Sequence, residues 1–165
     1  MADENAFENG HALIVGVGHY KQSSLSVPVT AQDAEDLAQV LGDPRFCAYP
    51  ESQVVVLTNE NANRSRILAE LGAIQDKVKE DSRSTVVIFF SGHGWQQDDY
   101  YFLPYETETY NIAGQPSVNP DTALKNDDFL NKVRNIPAQR LVILFNTCFA
   151  GAVGTALSPE IERFG

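Results

Sequence analysis

The chain has 165 residues and a formal net charge of −10, from 22 acids against 12 bases, which excludes nucleic acid and anionic membrane as main partners because both call for basic surface. Apolar residues make up 43% of it, enough to bury the core of a single domain spanning residues 1–165. No apolar run approaches the roughly 18–20 residues of a membrane span. The acidic start MADENAFENG is unlike a signal peptide, and two cysteines are too few for a disulfide scaffold. The expectation is a soluble cytoplasmic protein with reduced thiols.

HALIVGVGHY opens with an apolar run, Ala12 to Val17, that predicts a central strand. TAQDAEDLAQVLG follows with Ala31, Ala34, Leu37, Ala38 and Leu41 at helical spacing and Gly42 as the stop. SQVVVLTN is a second strand. NANRSRILAELGAIQDKVKED predicts a helix whose buried stripe is Ile67, Leu68, Leu71, Ile74 and Val78, with Asn63 as its cap. STVVIFFSGHG is a third buried strand ending in a glycine-rich turn, and DDYYFLPYE a short strand or hairpin arm halted by Pro104. Residues 106–123 read as loop, with Gly114, Pro116 and Pro120. KNDDFLNKVRNI is a helix ended by Pro137. In QRLVILFNTC the run Leu141 to Phe145 reads as a strand covered on both faces. Strands alternating with helices predict an α/β fold, a mostly parallel central sheet with helices on both faces.

In such sheets ligands bind outside the carboxyl ends of the strands. Three of those ends carry unusual residues. His19, Tyr20 and then Asp33 follow the first strand, Ser91 to Gly94 the third, and Asn146, Thr147 and Cys148 the fourth. Short right-handed crossovers favour the third and fourth strands as neighbours. His93 and Cys148 then face one cleft. A cysteine beside a histidine is the arrangement for thiolate attack on a carbonyl, the imidazole polarising the thiol and protonating the leaving amine. Glycines at 92, 94 and 151 let backbone N–H groups approach a developing oxyanion.

Other features carry less. GVGHY lacks the third glycine of a dinucleotide turn, and the three histidines have no zinc-ligand spacing. Cys47 reads as a loop or core thiol. Tyr100, Tyr101, Phe102 and Tyr105 read as strand packing, and Trp95 as either a cleft wall or a packing residue.

SGHG and NTCFAG together resemble the caspase–haemoglobinase clan, specifically the metacaspases and orthocaspases. ALIVGVGHY, AQDAEDL, YYFLPYE and FLNKVRNIPAQRLVILFNTCFAG extend the resemblance over most of the chain. It implies the caspase–haemoglobinase fold and a cysteine endopeptidase that cuts after Arg or Lys. His93 and Cys148 would be the dyad, and the backbone N–H groups of Gly94 and Cys148 the oxyanion hole. Asp33 matches one acid of the family's S1 pocket. The other acid, two residues before the cysteine, is Asn146 here. An amide keeps the hydrogen bonding and loses the charge, so Arg should be preferred over Lys: its planar fork uses an amide oxygen together with a carboxylate, whereas an ammonium is a point charge. The link WQQDD, with Asp98 and Asp99, is shorter than the acidic loop that many metacaspases associate with calcium, so calcium is not expected to be required. The family's smaller p10-type part is absent, and a p10-type subunit, a second copy of the chain or the tail 152–165 is expected to cover the strand at 140–146. The alternative is a catalytically silent caspase-like module that binds a partner.

Overall fold

The structure, a computed structural model, describes residues 7, 9–80 and 83–148. Four parallel strands form its central sheet: β1 (Gly10–Gly16), β2 (Val54–Thr58), β3 (Thr85–Ser91) and β9 (Arg140–Asn146), in the order β2-β1-β3-β9. Helices α1 (Val29–Gly42), α2 (Arg64–Glu80) and α3 (Asn126–Arg134) supply the crossovers. Alternation along β1 divides the core. Ala12 and Ile14 face α1 through Ala34 and Leu41, whereas Leu13 and Val15 face α2 and α3 through Ile67, Leu71, Phe129 and Val133. The sheet therefore carries helices on both faces, as the strand–helix alternation predicts. Asn63 caps α2 as expected, its Oδ1 accepting the Arg66 N–H at 2.9 Å. Among the described residues no helix is long and apolar enough to cross a membrane.

Between β3 and α3 the chain leaves the sheet and builds two small antiparallel units. β4 (Gly94–Gln96), β5 (Tyr100–Phe102) and β8 (Leu124–Lys125) form one, β6 (Thr109–Ile112) and β7 (Gln115–Val118) the other. The second corrects the sequence reading, which takes 106–123 as loop. Its strands lack alternating hydrophobicity, because Tyr110 to Pro116 are all exposed, and the backbone turn alone makes the hairpin, with Ala113 left-handed at φ 51°.

A second correction concerns β9. Its apolar run predicts cover on both faces, yet Leu141, Val142 and Leu144 are 37%, 42% and 42% exposed. Only Ile143 and Phe145 pack against the core, under α3. The reason is position. Among the described residues β9 is the outer strand of the sheet, and α1 packs mainly on β1, β2 and β3, meeting β9 at its last residue, Asn146.

Phe102 is the keystone of the α3 side. It is fully buried, and its ring lies 4.9–5.2 Å from those of Phe90, Tyr100, Phe129 and Phe145, so β3, β5, α3 and β9 meet on one side chain. Phe102→Ala should lower unfolding free energy by about 3–5 kcal/mol, read as a fall in the urea midpoint at unchanged slope.

Candidate active site

The carboxyl ends of β1, β3 and β9 converge because their parallel ladders run in step. β3 pairs with β9 from Thr85↔Arg140 to Ser91↔Asn146, and the Gly92 N–H donates to the Asn146 carbonyl at 3.2 Å. His93 and Cys148 each stand two residues past that last rung. The closeness of the two chain segments is visible at Gly94: a Cβ there would overlap the Tyr100 hydroxyl and the Cys148 carbonyl oxygen. Cys148 is a free, exposed cysteine, while Cys47 is half-buried.

The turn after β1 holds His93. Its backbone is anchored by Asn59, whose Oδ1 accepts the N–H groups of Gly18 (3.1 Å) and His19 (2.8 Å). From this turn the Leu25 carbonyl lies 2.8 Å from His93 Nε2. A carbonyl only accepts, so Nε2 must carry the proton, and Nδ1 is the ring's basic atom in the neutral form. The Tyr20 hydroxyl accepts the His93 backbone N–H at 2.9 Å, and the two rings sit 5.4 Å apart, tilted by 41°.

α1 is drawn tightly onto β1. Thr30 Oγ1 donates to the Val17 carbonyl at 2.6 Å, and any side chain at Gly16 would run into the Thr30 carbonyl and the Ala34 methyl. This packing brings Asp33, in the second turn of α1, over the ends of β3 and β9. Asp33 Oδ2 accepts from Ser91 Oγ at 3.2 Å and from Asn146 Nδ2 at 3.0 Å, and Asn146 Nδ2 also lies 3.1 Å from Ser91 Oγ. A carboxylate oxygen cannot donate, so the amide must turn its NH2 toward Asp33 and its Oδ1 away. The fully buried Ser91 hydroxyl donates to Asp33 and accepts from Asn146.

On the other side Tyr100, buried on β5, reaches Cys148. Its hydroxyl donates to the Cys148 carbonyl at 2.9 Å and is 2.6 Å from Thr147 Oγ1. With its single proton committed to the carbonyl, the phenol oxygen accepts from Thr147.

The structure thus brings Asp33 and Asn146 into contact and sets the His93, Gly94 and Cys148 backbones side by side. His19 is exposed, and Trp95 packs against the main core, which favours its packing role. Gly151 and the tail 152–165 lie outside the described residues. Asp99 is held by Lys125 at 2.8 Å, which leaves that carboxylate already neutralised, and no group of three or more His, Cys, Asp or Glu among the described residues is arranged to hold a metal ion. Two grooves among the described residues, of about 420 Å³ between α2 and α3 and about 650 Å³ beside β2, contain none of these site residues. Sequence reasoning names Ser91 at its strand end without giving it a role, and misses the Leu25 carbonyl and the Tyr100 hydroxyl. Only Ser91 left a signal, a polar residue closing an otherwise apolar strand.

The family model described as "Caspase domain" matches residues 9–162. A crystal structure of a protein from Geobacter sulfurreducens is similar at a TM-score of 0.59 and 18% identity, covering 92% of this chain and 54% of that one. That likeness concerns the fold. The chain spans about half the length of this solved neighbour. No curated protein sequence matches it.

Proposed function

The chain belongs to the caspase-domain family of cysteine peptidases, and on that premise we propose that it is an endopeptidase of metacaspase or orthocaspase type that cleaves after basic residues, Arg before Lys. The observation that carries this is the Leu25 carbonyl 2.8 Å from Nε2 of His93, a histidine that stands level with the exposed Cys148 just past the last β3–β9 rung.

In this mechanism His93 Nδ1 takes the thiol proton of Cys148, and the thiolate adds to the scissile carbonyl carbon. The N–H groups of Gly94 and Cys148 receive the oxyanion. The C–N bond breaks as the imidazolium returns its proton to the leaving amine, leaving a thioester on Cys148. A water deprotonated by Nδ1 then hydrolyses the thioester and restores the thiol. No step is assigned to a metal ion. Cys148→Ala should abolish turnover of an arginine-terminated peptide substrate, and His93→Ala should lower kcat by about two to four orders of magnitude. A wild-type chain that neither turns over such substrates nor reacts with a thiol-directed arginine peptide probe would instead be a silent, partner-binding module.

The S1 acid in this reading is Asp33. Asn146 and Ser91 hold one of its oxygens, and the arginine guanidinium takes Oδ1 of Asp33 together with the outward Oδ1 of Asn146. A lysine ammonium, a single point charge, gains less from the amide. Asp33→Ala should cost about 2–5 kcal/mol in kcat/KM on basic substrates. Asn146→Asp replaces a neutral acceptor by a charged one and should raise kcat/KM on arginine substrates about fivefold, close to 1 kcal/mol. A substrate scan with its best cleavage after Asp or large apolar residues would refute this assignment.

The exposed edge of β9 we assign to further strands of the p10-type part of the domain, consistent with a chain that spans only 54% of its solved neighbour. Unpaired apolar edges template association. The chain alone should therefore self-associate in sedimentation velocity, and Val142→Lys on β9 should return it to monomer. A wild-type monomer would show that the edge needs no cover.

A further inference from the structure

Neither member of the proposed dyad lies within a helix or strand. β3 ends at Ser91 and β9 at Asn146, so the ladders stop two residues short of both reacting side chains. Residues beyond the end of a sheet are ordinarily its loosest, while thiolate attack demands placement to a fraction of an ångström. The Leu103 N–H holds the His93 carbonyl at 3.0 Å, and the rest of the hold must come from side chains.

We propose that Tyr20 and Tyr100 are a matched pair of positioning residues, one phenol anchoring the main chain of the general base and the other that of the nucleophile. The proposal rests on the dyad reading above. Tyr20 comes from the turn after β1, and its hydroxyl accepts the His93 N–H at 2.9 Å while its ring packs on the imidazole. Tyr100 comes from β5, and its hydroxyl donates to the Cys148 carbonyl at 2.9 Å. The Thr147 hydroxyl completes that chain by donating to Tyr100, so one phenol grips two successive residues of the nucleophile's turn.

The two phenols use opposite halves of the peptide group. His93 offers an N–H and meets an acceptor; Cys148 offers a carbonyl and meets a donor. Both tyrosines are nearly out of solvent, at 5% and 4% exposure, and burial pushes both hydroxyls upward from the ordinary phenol range, so both stay protonated through neutral and mildly alkaline pH. Gly94 belongs to the same device, because a side chain there would displace the Tyr100 hydroxyl from the Cys148 carbonyl. Each hydroxyl bonds the main chain of His93 or Cys148, not the imidazole or the thiol, so each acts as a positioning group.

The test uses Tyr20→Phe and Tyr100→Phe, which keep the rings and delete the anchors, with Thr147→Val as the milder break of the Tyr100 chain. Peptidase kinetics should show kcat falling at least about tenfold with KM within about twofold, the mark of lost alignment rather than lost binding. Unchanged kcat, or a loss confined to KM, overturns the proposal. A second arm needs no peptide substrate: the rate of iodoacetamide alkylation of Cys148 against pH, in a Cys47→Ala background. Loosening either residue alters the coupling of thiol and imidazole, so the profile of each Phe variant should depart from that of the parent. Superimposable profiles overturn the proposal even if the chain proves to have no peptidase activity, whereas an active Cys148→Ala variant defeats the dyad reading itself. Tyr20→Leu, which also removes the ring, should be worse than Tyr20→Phe in both arms.

Discussion

The register between β3 and β9 is the constraint on which the remaining chemistry depends. Parallel strands cannot be joined by a tight turn, so the 48 residues from Gly92 to Gln139 intervene between them, yet the ladder pairs Ser91 with Asn146 rung for rung. A slip of β9 by one residue would turn Phe145 out of the core and bring Leu144 in. The rings around Phe102 oppose such a slip, because Phe90 and Phe145 both lean on it. Core packing thereby fixes the level at which the two glycine-bordered turns leave the sheet.

The polar cluster at those strand ends shows how one substitution reshapes electrostatics without disturbing geometry. Two carboxylates at positions 33 and 146 would stand about as close as Asp33 and Asn146 do, at 3.0 Å, and repel each other. The amide at 146 replaces that repulsion by a hydrogen bond. It also draws the buried Ser91 hydroxyl into a closed arrangement in which every donor meets an acceptor. A site built this way carries one negative charge instead of two.

The turn between β1 and α1 and the β4–β5 unit frame the strand ends from opposite sides. The first provides Tyr20 and the Leu25 carbonyl around His93, and the second provides Tyr100 around Cys148. The first is itself tied to the β6–β7 hairpin, since the Gln22 amide exchanges hydrogen bonds with Thr109 at 2.7 and 3.0 Å. The exposed hairpin is thus linked through a short chain of contacts to the loop that orients the imidazole.

The amino-acid sequence by itself determined the alternation of strands and helices, the burial of β1 and β3, the cap of α2, and the placing of His93, Cys148, Asp33 and Asn146 at one edge of the sheet. These follow from local hydrophobic period and from the rule that parallel sheets gather their functional residues at the carboxyl ends of the strands. Only the tertiary structure decided the rest. The exposure of Leu141, Val142 and Leu144 depends on which strand ends the sheet, and an apolar run reads the same at an edge as at the centre. The β6–β7 hairpin rests on backbone turn geometry with no alternating pattern to announce it. The Leu25 carbonyl is invisible in principle, because every residue has one, and its partner lies 68 residues away. Tyr100 reads as packing because its ring does pack; that its hydroxyl meets Cys148, 48 residues on, is set by the fold that brings β5 beneath the end of β9.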